Sequence, residues 1–202
     1  MGCDIHMFCE EQVTISGKTE WRSADHFKRN HYFGIDEDEG EKELEVVELC
    51  GSRNYSMFTA LCGVRDYTDK SPKISAPKGL PDDVTDFVRK ESDDIYSDGH
   101  SRSYVTLAEV KAFVDKNDPV KFSGLLNPSA VKDFDENGVL PTSWCQGTNQ
   151  ADYEFREWED NTYSPLKTLF ELMAKRFRPY WNVDDLMPED MEKFRIVFWF
   201  DN

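Results

Sequence analysis

The chain has 202 residues, enough for one domain with a real core, and its 13% aromatic content supplies large apolar side chains to fill that core. Its formal net charge of −16 repels phosphate backbones, which disfavours general nucleic-acid binding. The charge is compatible with carboxylates that hold a cation, with a surface that imitates DNA and occupies a nucleic-acid-binding protein, or simply with a solvated surface.

The cysteines and the hydropathy profile both indicate a cytoplasmic protein. The five cysteines are odd in number and have no C-x-x-C spacing, which favours reduced thiols over a disulfide framework or a thiolate zinc site. No apolar run approaches the ~18 residues that span a bilayer. The N-terminus has no basic segment followed by an apolar one. We therefore expect no membrane contact.

The first fifty residues predict a hairpin, a loop and a further strand. Residues 3–15 alternate in polarity like a half-buried strand, residues 16–18 have turn composition, and residues 19–22 form the returning strand. The run 35–41 is acidic and lacks an apolar period, so we expect an exposed loop. The next predicted strand covers residues 43–50.

Two helices and a polar loop follow. Apolar residues at helical spacing over 57–62 indicate a short buried helix, which Gly63 is placed to cap. Pro81 with two carboxylates behind it is typical of the first turn of a second helix. Residues 92–102 are polar and contain glycine, so we expect a loop that presents His100.

The second half of the chain has clear signals on both sides of a weak stretch. Thr106-Leu107-Ala108-Glu109 has the form of a capping box and predicts a third helix. Residues 117–160 are interrupted by proline and glycine and predict short elements with long connections. A fourth helix is predicted from Pro165 to Arg178, where Pro179 stops it. Five consecutive apolar residues, 196–200, indicate an interior strand covered on both faces.

These elements predict a single α+β domain over residues 1–202. Its central sheet is mixed or antiparallel, contains the N-terminal hairpin and the C-terminal strand, and carries about four packed helices. Residues 117–160 form a loop-rich insertion. If the terminal strands are neighbours, the side chains at positions 4 and 6 lie near Asp201.

The first candidate site is on the first strand. Asp4 and His6 are two residues apart, so they point to the same face of the sheet. A carboxylate beside an imidazole can share a metal ion or form an acid–base pair, which makes both residues candidates for catalysis. Ordinary membership of the polar face of a hairpin explains the same pattern.

The second candidate site is the polar segment 97–103. There His100 can serve as a general base, Ser101 can donate to a phosphate oxygen, and Arg102 can clamp an anionic group. Functional side chains are often presented on segments of this kind. The alternative is a polar loop whose serine and aspartate side chains satisfy nearby backbone amides.

The two Asp-x-His pairs suggest a metal site. Asp4 with His6, and Asp98 with His100, would together supply enough nitrogen and oxygen ligands for a divalent zinc, manganese or iron ion. The set is meaningful only if the fold brings both pairs together.

Two arginines near a tyrosine form the third candidate. Arg53, Tyr55 and Arg65 flank the first predicted helix in an otherwise acidic chain. Two guanidinium groups near an aromatic ring can bind phosphate while the ring stacks on a base. Helix capping and solvated ion pairs account for many such residues.

The opening Met1-Gly2-Cys3-Asp4-Ile5-His6 and the closing Val197-Phe198-Trp199-Phe200-Asp201-Asn202 resemble a family of uncharacterised proteins encoded by bacteriophages, prophages and some bacteria. Shorter similarities lie at Arg53-x-Tyr55, Gly63-Val64-Arg65, Gly79-Leu80-Pro81-x-Asp83, His100-Ser101-x-Ser103 and Thr106-Leu107-x-Glu109. The resemblance implies a phage or prophage origin, with the host cytosol as the compartment, and it implies no reaction.

The leading hypothesis is a pocket for a phosphate-containing, nucleotide-like small molecule, extended to metal-dependent hydrolysis if His6 and His100 meet in that pocket. The alternative is an acidic phage interaction protein that inhibits a host defence or nucleic-acid enzyme without catalysis, with the run 36–41 contributing. A structural or accessory phage protein is the third reading. No P-loop, dinucleotide glycine motif, Gly-x-Ser-x-Gly or His-Glu-x-x-His is present.

Overall fold

A computed structural model describes the α+β fold of the chain. It describes residues 2–31, 33–34, 42–51, 53–66, 71–95, 98–160 and 165–201. The acidic run predicted to be an exposed loop at 35–41 lies outside the described residues. Within the described ranges, none of the helices combines the length and apolar character needed to cross a membrane.

Eight strands and six α-helices are present in those ranges. The strands are β1 (Asp4–Ile15), β2 (Lys18–Ser23), β3 (Phe27–Arg29), β4 (Leu44–Val46), β5 (His100–Thr106), β6 (Val120–Leu126), β7 (Glu154–Asp160) and β8 (Phe194–Asp201). The helices are α1 (Tyr55–Cys62), α2 (Asp86–Asp94), α3 (Leu107–Lys116), α4 (Pro128–Asn137), α5 (Lys167–Phe177) and α6 (Pro188–Met191), with a 3-10 turn at Val183–Asp185.

The central sheet is antiparallel and contains both terminal strands, as predicted. Its strand order is β2-β1-β8-β5, and β1 pairs with β2 as the expected hairpin. Seven of the eight residues of β8 are buried, so the apolar run does form an interior strand covered on both faces. Two further antiparallel pairs, β3-β4 and β6-β7, lie outside this sheet.

Alternation along β8 gives the sheet two buried faces. Trp199 packs with Phe8 against Val88 of α2, and we call this side the Trp199 face. Phe198 and Phe200 point the other way, into the larger core that includes side chains of α1, α3 and α5, and we call this side the Phe200 face. The two faces decide which side chains can share a site.

A buried ion pair ties the Trp199 face together. Arg195 of β8 donates through Nε to Glu10 of β1 at 2.8 Å, and through Nη1 to Asp83 at 2.8 Å. Glu10 also accepts the Thr85 N–H at 2.8 Å, and the Arg195 guanidinium lies 3.9 Å from the centre of the Trp21 ring. These contacts join β1, β2 and β8 to the start of α2.

The second helix begins at Asp86, so its predicted start at Pro81 is wrong. Thr85 is the N-cap residue, and its side-chain oxygen accepts the N–H three residues along. The segment before it is instead held by Arg195, which binds both the carboxylate and the backbone carbonyl of Asp83. A contact between residues so distant in sequence leaves no local signal.

The other helix ends follow their local signals. Thr106 and Glu109 exchange both hydrogen bonds of the predicted capping box, at 3.1 Å and 2.8 Å. Gly63 ends α1 in the left-handed conformation, at φ 82°, where glycine has no steric penalty. The helix predicted to stop before Pro179 has Phe177 as its last residue and Arg178 as its C-cap.

Residues 117–160 contain more regular structure than predicted. The strands β6 and β7 pair antiparallel, and α4 packs on them. Two of the apparent breakers mark its ends, since Pro128 is its first residue, directly after the N-cap Asn127, and Gly138 ends the helix at φ 65°. The unit has its own core of buried side chains, formed by Val120, Phe122, Leu126 and Trp158.

Candidate functional site

The paired ends of β1 and β8 bring three candidate side chains together. Asp4 lies opposite Asp201 in the ladder, two residues from His6 and on the same face. His6 Nε2 is 3.1 Å from Asp201 Oδ2, and the imidazole stacks on Trp199 with 6.0 Å between ring centroids. Asp201 therefore orients the imidazole.

Asp4 is engaged by Arg53 instead. The Nε and Nη2 atoms of Arg53 donate to the two Asp4 carboxylate oxygens at 2.5 Å and 2.6 Å. This bidentate hydrogen bonding holds the pKa of the Asp4 carboxyl below its ordinary value. Asp4 thus stays ionised near neutral pH and is unsuited to donate a proton there.

The structure places His100 on the opposite face of the sheet from His6. His6 pairs with Trp199, whereas His100 pairs with the next residue, Phe200, and successive strand residues point to opposite faces. The His100 ring stacks on Phe200 with 6.0 Å between centroids. Its Nδ1 lies 3.0 Å from Ser101 Oγ, and its Nε2 is enclosed with no hydrogen-bond partner in the described part of the chain. The two histidines do not share a pocket.

The proposed set of four metal ligands is consequently divided. Asp4 and His6 lie on the Trp199 face, His100 lies on the Phe200 face, and Asp98 is exposed in the turn before β5. Among the described residues, no three histidine, cysteine, aspartate or glutamate side chains are grouped to hold a metal ion.

Arg102 and His100 belong to more ordered structure than the predicted loop. His100 is the first residue of β5, and a register shift interrupts the pairing of β5 with β8 before Ser103. Within that irregular stretch, Ser101 has a positive φ of 52°. All three guanidinium nitrogens of Arg102 donate to Ser92 or to the Gly99 carbonyl, at 2.7 to 3.1 Å. Arg102 therefore links the end of α2 to the start of β5, and its donors are used within the fold.

The third candidate group, in contrast, lines a large cleft. The cleft lies between the first part of α1 and the start of β6, has a volume of about 960 Å³, and is open to solvent. Arg53, Tyr55 and Arg65 line one side of it. Lys121 lines the other side, so three cationic side chains border one cavity in a chain of net charge −16.

The cationic side of the cleft is held by the first residues of the chain. The Tyr55 hydroxyl accepts the Cys3 N–H at 3.2 Å, and Arg65 Nη2 donates to the Gly2 carbonyl at 3.3 Å. The Arg65 guanidinium carbon lies 5.6 Å from the centre of the Tyr55 ring, a cation–π distance. These contacts fix the two groups before a ligand arrives.

Two further features make the cleft suitable for an anion. The first turn of α1 borders it through Tyr55 and Ser56, whose N–H groups have no acceptor within the helix. Asp66 is the one carboxylate among the described lining residues, and its two oxygens accept from the Ser71 N–H and hydroxyl at 3.1 Å and 2.9 Å. Its negative charge is therefore partly satisfied within the wall.

Sequence reasoning missed the opposite wall of the cleft. Lys121, Phe122 and Trp144 come from the stretch 117–160, for which no motif was identified. The alternation of polar Lys121 between apolar neighbours was the available signal for a strand there. The approach of Trp144 to β6 depends on Gly124, because a Cβ atom at that position would lie 2.6 Å from Trp144 Cδ1.

Neither His6 nor His100 is among the described residues that line the cleft between α1 and β6. His6 instead borders a second, smaller cavity of about 260 Å³ on the other side of the sheet, between β1, the β3-β4 pair and α2.

Comparison of the chain with protein-family models, with curated proteins and with solved structures finds no match. The resemblance to phage-encoded proteins stays a prediction.

Proposed function

We propose that this protein binds a phosphate-containing, nucleotide-like small molecule in the cleft between α1 and β6. The observation that carries the proposal is that Arg53, Arg65 and Lys121 border one cleft in a strongly acidic chain. An acidic protein repels anions over most of its surface, so a local group of cations is the part that an anionic ligand can approach.

The phosphate contacts follow from the geometry of the arginines. A guanidinium group has five N–H donors, and Asp4 uses the Nε and one Nη of Arg53, which leaves further donors for phosphate oxygens. Arg65 supplies a second guanidinium, and Lys121 supplies an ammonium group that also pairs with Glu159 at 3.1 Å. The first N–H groups of α1 add dipoles of the same sign.

The base or another planar group has aromatic surface to stack on. Tyr55 and the half-buried Trp144 line the cleft together with Phe122, and the Phe122 and Trp144 ring centroids are 5.2 Å apart. Ring faces of this kind bind any nucleobase with little sequence preference. The cleft volume of about 960 Å³ is within the range of about 300–1,000 Å³ that small-molecule sites occupy.

The proposal covers binding and assigns no hydrolytic step. The residues first considered for catalysis, His6, His100 and Asp4, do not line the cleft. Metal-dependent hydrolysis would need ligands that the described residues do not group there. The function that these contacts support is recognition of the ligand.

Calorimetric titration with ADP tests the proposal. We expect Arg65→Met and Arg53→Met each to weaken ADP binding about 10- to 150-fold, because a hydrogen bond to a charged group contributes about 1.5–3 kcal/mol. Arg89→Met is the matched control, since Arg89 is an exposed arginine of α2 outside the cleft. Adenosine, which lacks phosphate, should bind more weakly than ADP. Absence of ADP binding, or equal affinity in all three variants, would contradict the proposal.

The acidic interaction protein remains a second candidate because of one surface feature. Tyr180 is 97% exposed and Trp181 is 55% exposed, and Asp184 and Asp185 follow them. Aromatic side chains are enriched at protein interfaces, and adjacent carboxylates favour a basic partner. This reading predicts a complex with a bacterial host protein that dissociates at raised salt and is lost in the Tyr180→Ser, Trp181→Ser double variant. A complex unaffected by the double variant would count against it.

A further inference from the structure

We propose that the cavity beside His6 binds a small organic cation through a trimethylammonium or similar alkylammonium group, independently of the cleft. Three phenylalanines from separate elements line it: Phe8 of β1, Phe27 of β3 and Phe87 of α2. The volume of about 260 Å³ suits a compact ligand. This is a second site of opposite charge preference to the one proposed above.

The three rings form one connected group. Phe87 contacts Phe8 edge-to-face with 5.8 Å between centroids, and contacts Phe27 edge-to-face with 5.6 Å between centroids. A phenyl face carries the negative end of the ring quadrupole, and a group of such faces is the usual protein environment for a quaternary ammonium ion. Phe27 is 44% exposed, so its ring keeps uncovered surface that a ligand can bury.

The charges around the cavity favour a cation over an anion. Three carboxylates, Glu45, Glu48 and Glu91, line it against one ammonium group, that of Lys42. Lys42 is paired with Glu91, and Glu45 is paired with Lys28 at 3.2 Å. Within the described residues, Glu48 has no ion pair, so its carboxylate is the charge that a ligand cation would neutralise. The charged side chains that line the cavity therefore leave a net negative charge.

His6 completes one side of the cavity with a ring of fixed orientation. Its Nε2 is held by Asp201 at 3.1 Å, and its ring stacks on Trp199, which stacks in turn on Phe8 with 4.9 Å between centroids. The imidazole ring adds a planar face to the wall beside the three phenyl rings. The wall is thus built on the rigid central sheet, which reduces the entropy lost on binding.

Choline and its neutral isostere 3,3-dimethylbutan-1-ol test the proposal, because they share shape and differ in charge. We expect saturable choline binding by NMR titration, and at least about fivefold weaker binding of the isostere. Equal affinity for the two compounds would overturn the proposal, since that result would describe an apolar cavity without cation recognition. Absence of saturable choline binding would also overturn it.

Single variants place the binding in this cavity. Phe27→Leu should weaken choline binding about fivefold, and Glu48→Gln, which keeps side-chain volume, about twofold. Phe155→Leu, at an exposed phenylalanine of β7, is the matched control and should have no effect. Choline binding unchanged by both cavity variants would refute the assignment. Arg65→Met should leave choline binding intact, so failure of either proposed site is distinguishable from failure of the other.

The trimethylammonium group has two natural sources, and the same protein separates them. Sedimentation with phosphatidylcholine vesicles, lost in the Phe27→Leu variant and competed by free choline, would identify a lipid headgroup as the source. Choline binding in solution without vesicle sedimentation would identify a free small molecule. Both results support recognition of the shared group, whereas vesicle binding that choline does not compete would contradict it.

Discussion

Replacement of Arg195 by methionine tests the ion pair that joins the sheet to α2. Glu10 is 0% exposed and Arg195 is 4% exposed, so the variant leaves a fully buried carboxylate without its guanidinium partner. Breaking a buried pair in this way costs about 3–5 kcal/mol. The contact with Asp83 adds little to this figure, because that carboxylate is 65% exposed and screened by water.

The loss is large relative to the total free energy of unfolding, which is roughly 5–15 kcal/mol for a domain. At about 2–4 °C per kcal/mol for a chain of this size, the melting temperature should fall by about 6–20 °C. Urea unfolding followed by tryptophan fluorescence gives the free energy directly. Arg22→Met is the control, since Arg22 forms an exposed pair with Glu20 within β2 and should change stability by less than about 1 kcal/mol.

The double variant Glu10→Gln, Arg195→Met identifies the physical cause. If the loss of stability in Arg195→Met comes from the unpaired buried charge of Glu10, removing that charge should restore part of the lost free energy of unfolding. The double variant should therefore be more stable than Arg195→Met, even though it carries one more substitution. A single variant that loses less than about 1 kcal/mol, or a double variant less stable than Arg195→Met alone, would refute the reasoning.

Two further predictions concern a half-buried carboxyl and a close glycine contact. Burial raises the pKa of Asp25 to about 6, so its folded form binds a proton that the unfolded chain releases, and stability falls as pH rises through this value. When the pH is raised from 4 to 7.5, the free energy of unfolding of the wild type should therefore fall by about 2 kcal/mol more than that of Asp25→Asn, as measured by urea unfolding. An equal fall in the two proteins would contradict this. Gly124→Ala should lower the free energy of unfolding by about 1–3 kcal/mol in the same assay, because its Cβ would lie 2.6 Å from Trp144 Cδ1. Gly147→Ala is the control and should lower it by less, since a Cβ there meets no atom within 4 Å. Equal losses in the two variants would count against the packing argument.

The parts of the fold that the sequence predicted correctly have local causes. The capping box of Thr106 and Glu109 lies within one helical turn, and the apolar run in β8 depends on composition alone. The adjacency of the terminal strands, which places Asp201 beside His6, followed from the expectation that both lie in one sheet. The grouping of Arg53, Tyr55 and Arg65 could also be recognised from the sequence, because they flank a helix that was identified locally, and their role in binding stays a prediction.

The features that were missed depend on register and on distant contacts. His6 and His100 lie on opposite faces because they pair with adjacent residues of β8. The register of strand pairing cannot be read directly from the sequence. The segment before α2 is held by Arg195, which is remote from it in the chain. In residues 117–160, Pro128 and Gly138 were interpreted as breakers of structure, whereas Pro128 is the first residue of α4 and Gly138 caps its C-terminal end.

A crystal structure of the protein soaked with ADP tests the central claim most directly. The account predicts the diphosphate within about 2.7–2.9 Å of the guanidinium nitrogens of Arg53 and Arg65, with the adenine against Trp144 or Tyr55. An empty cleft at a saturating ADP concentration, or ADP bound elsewhere on the molecule, would contradict it.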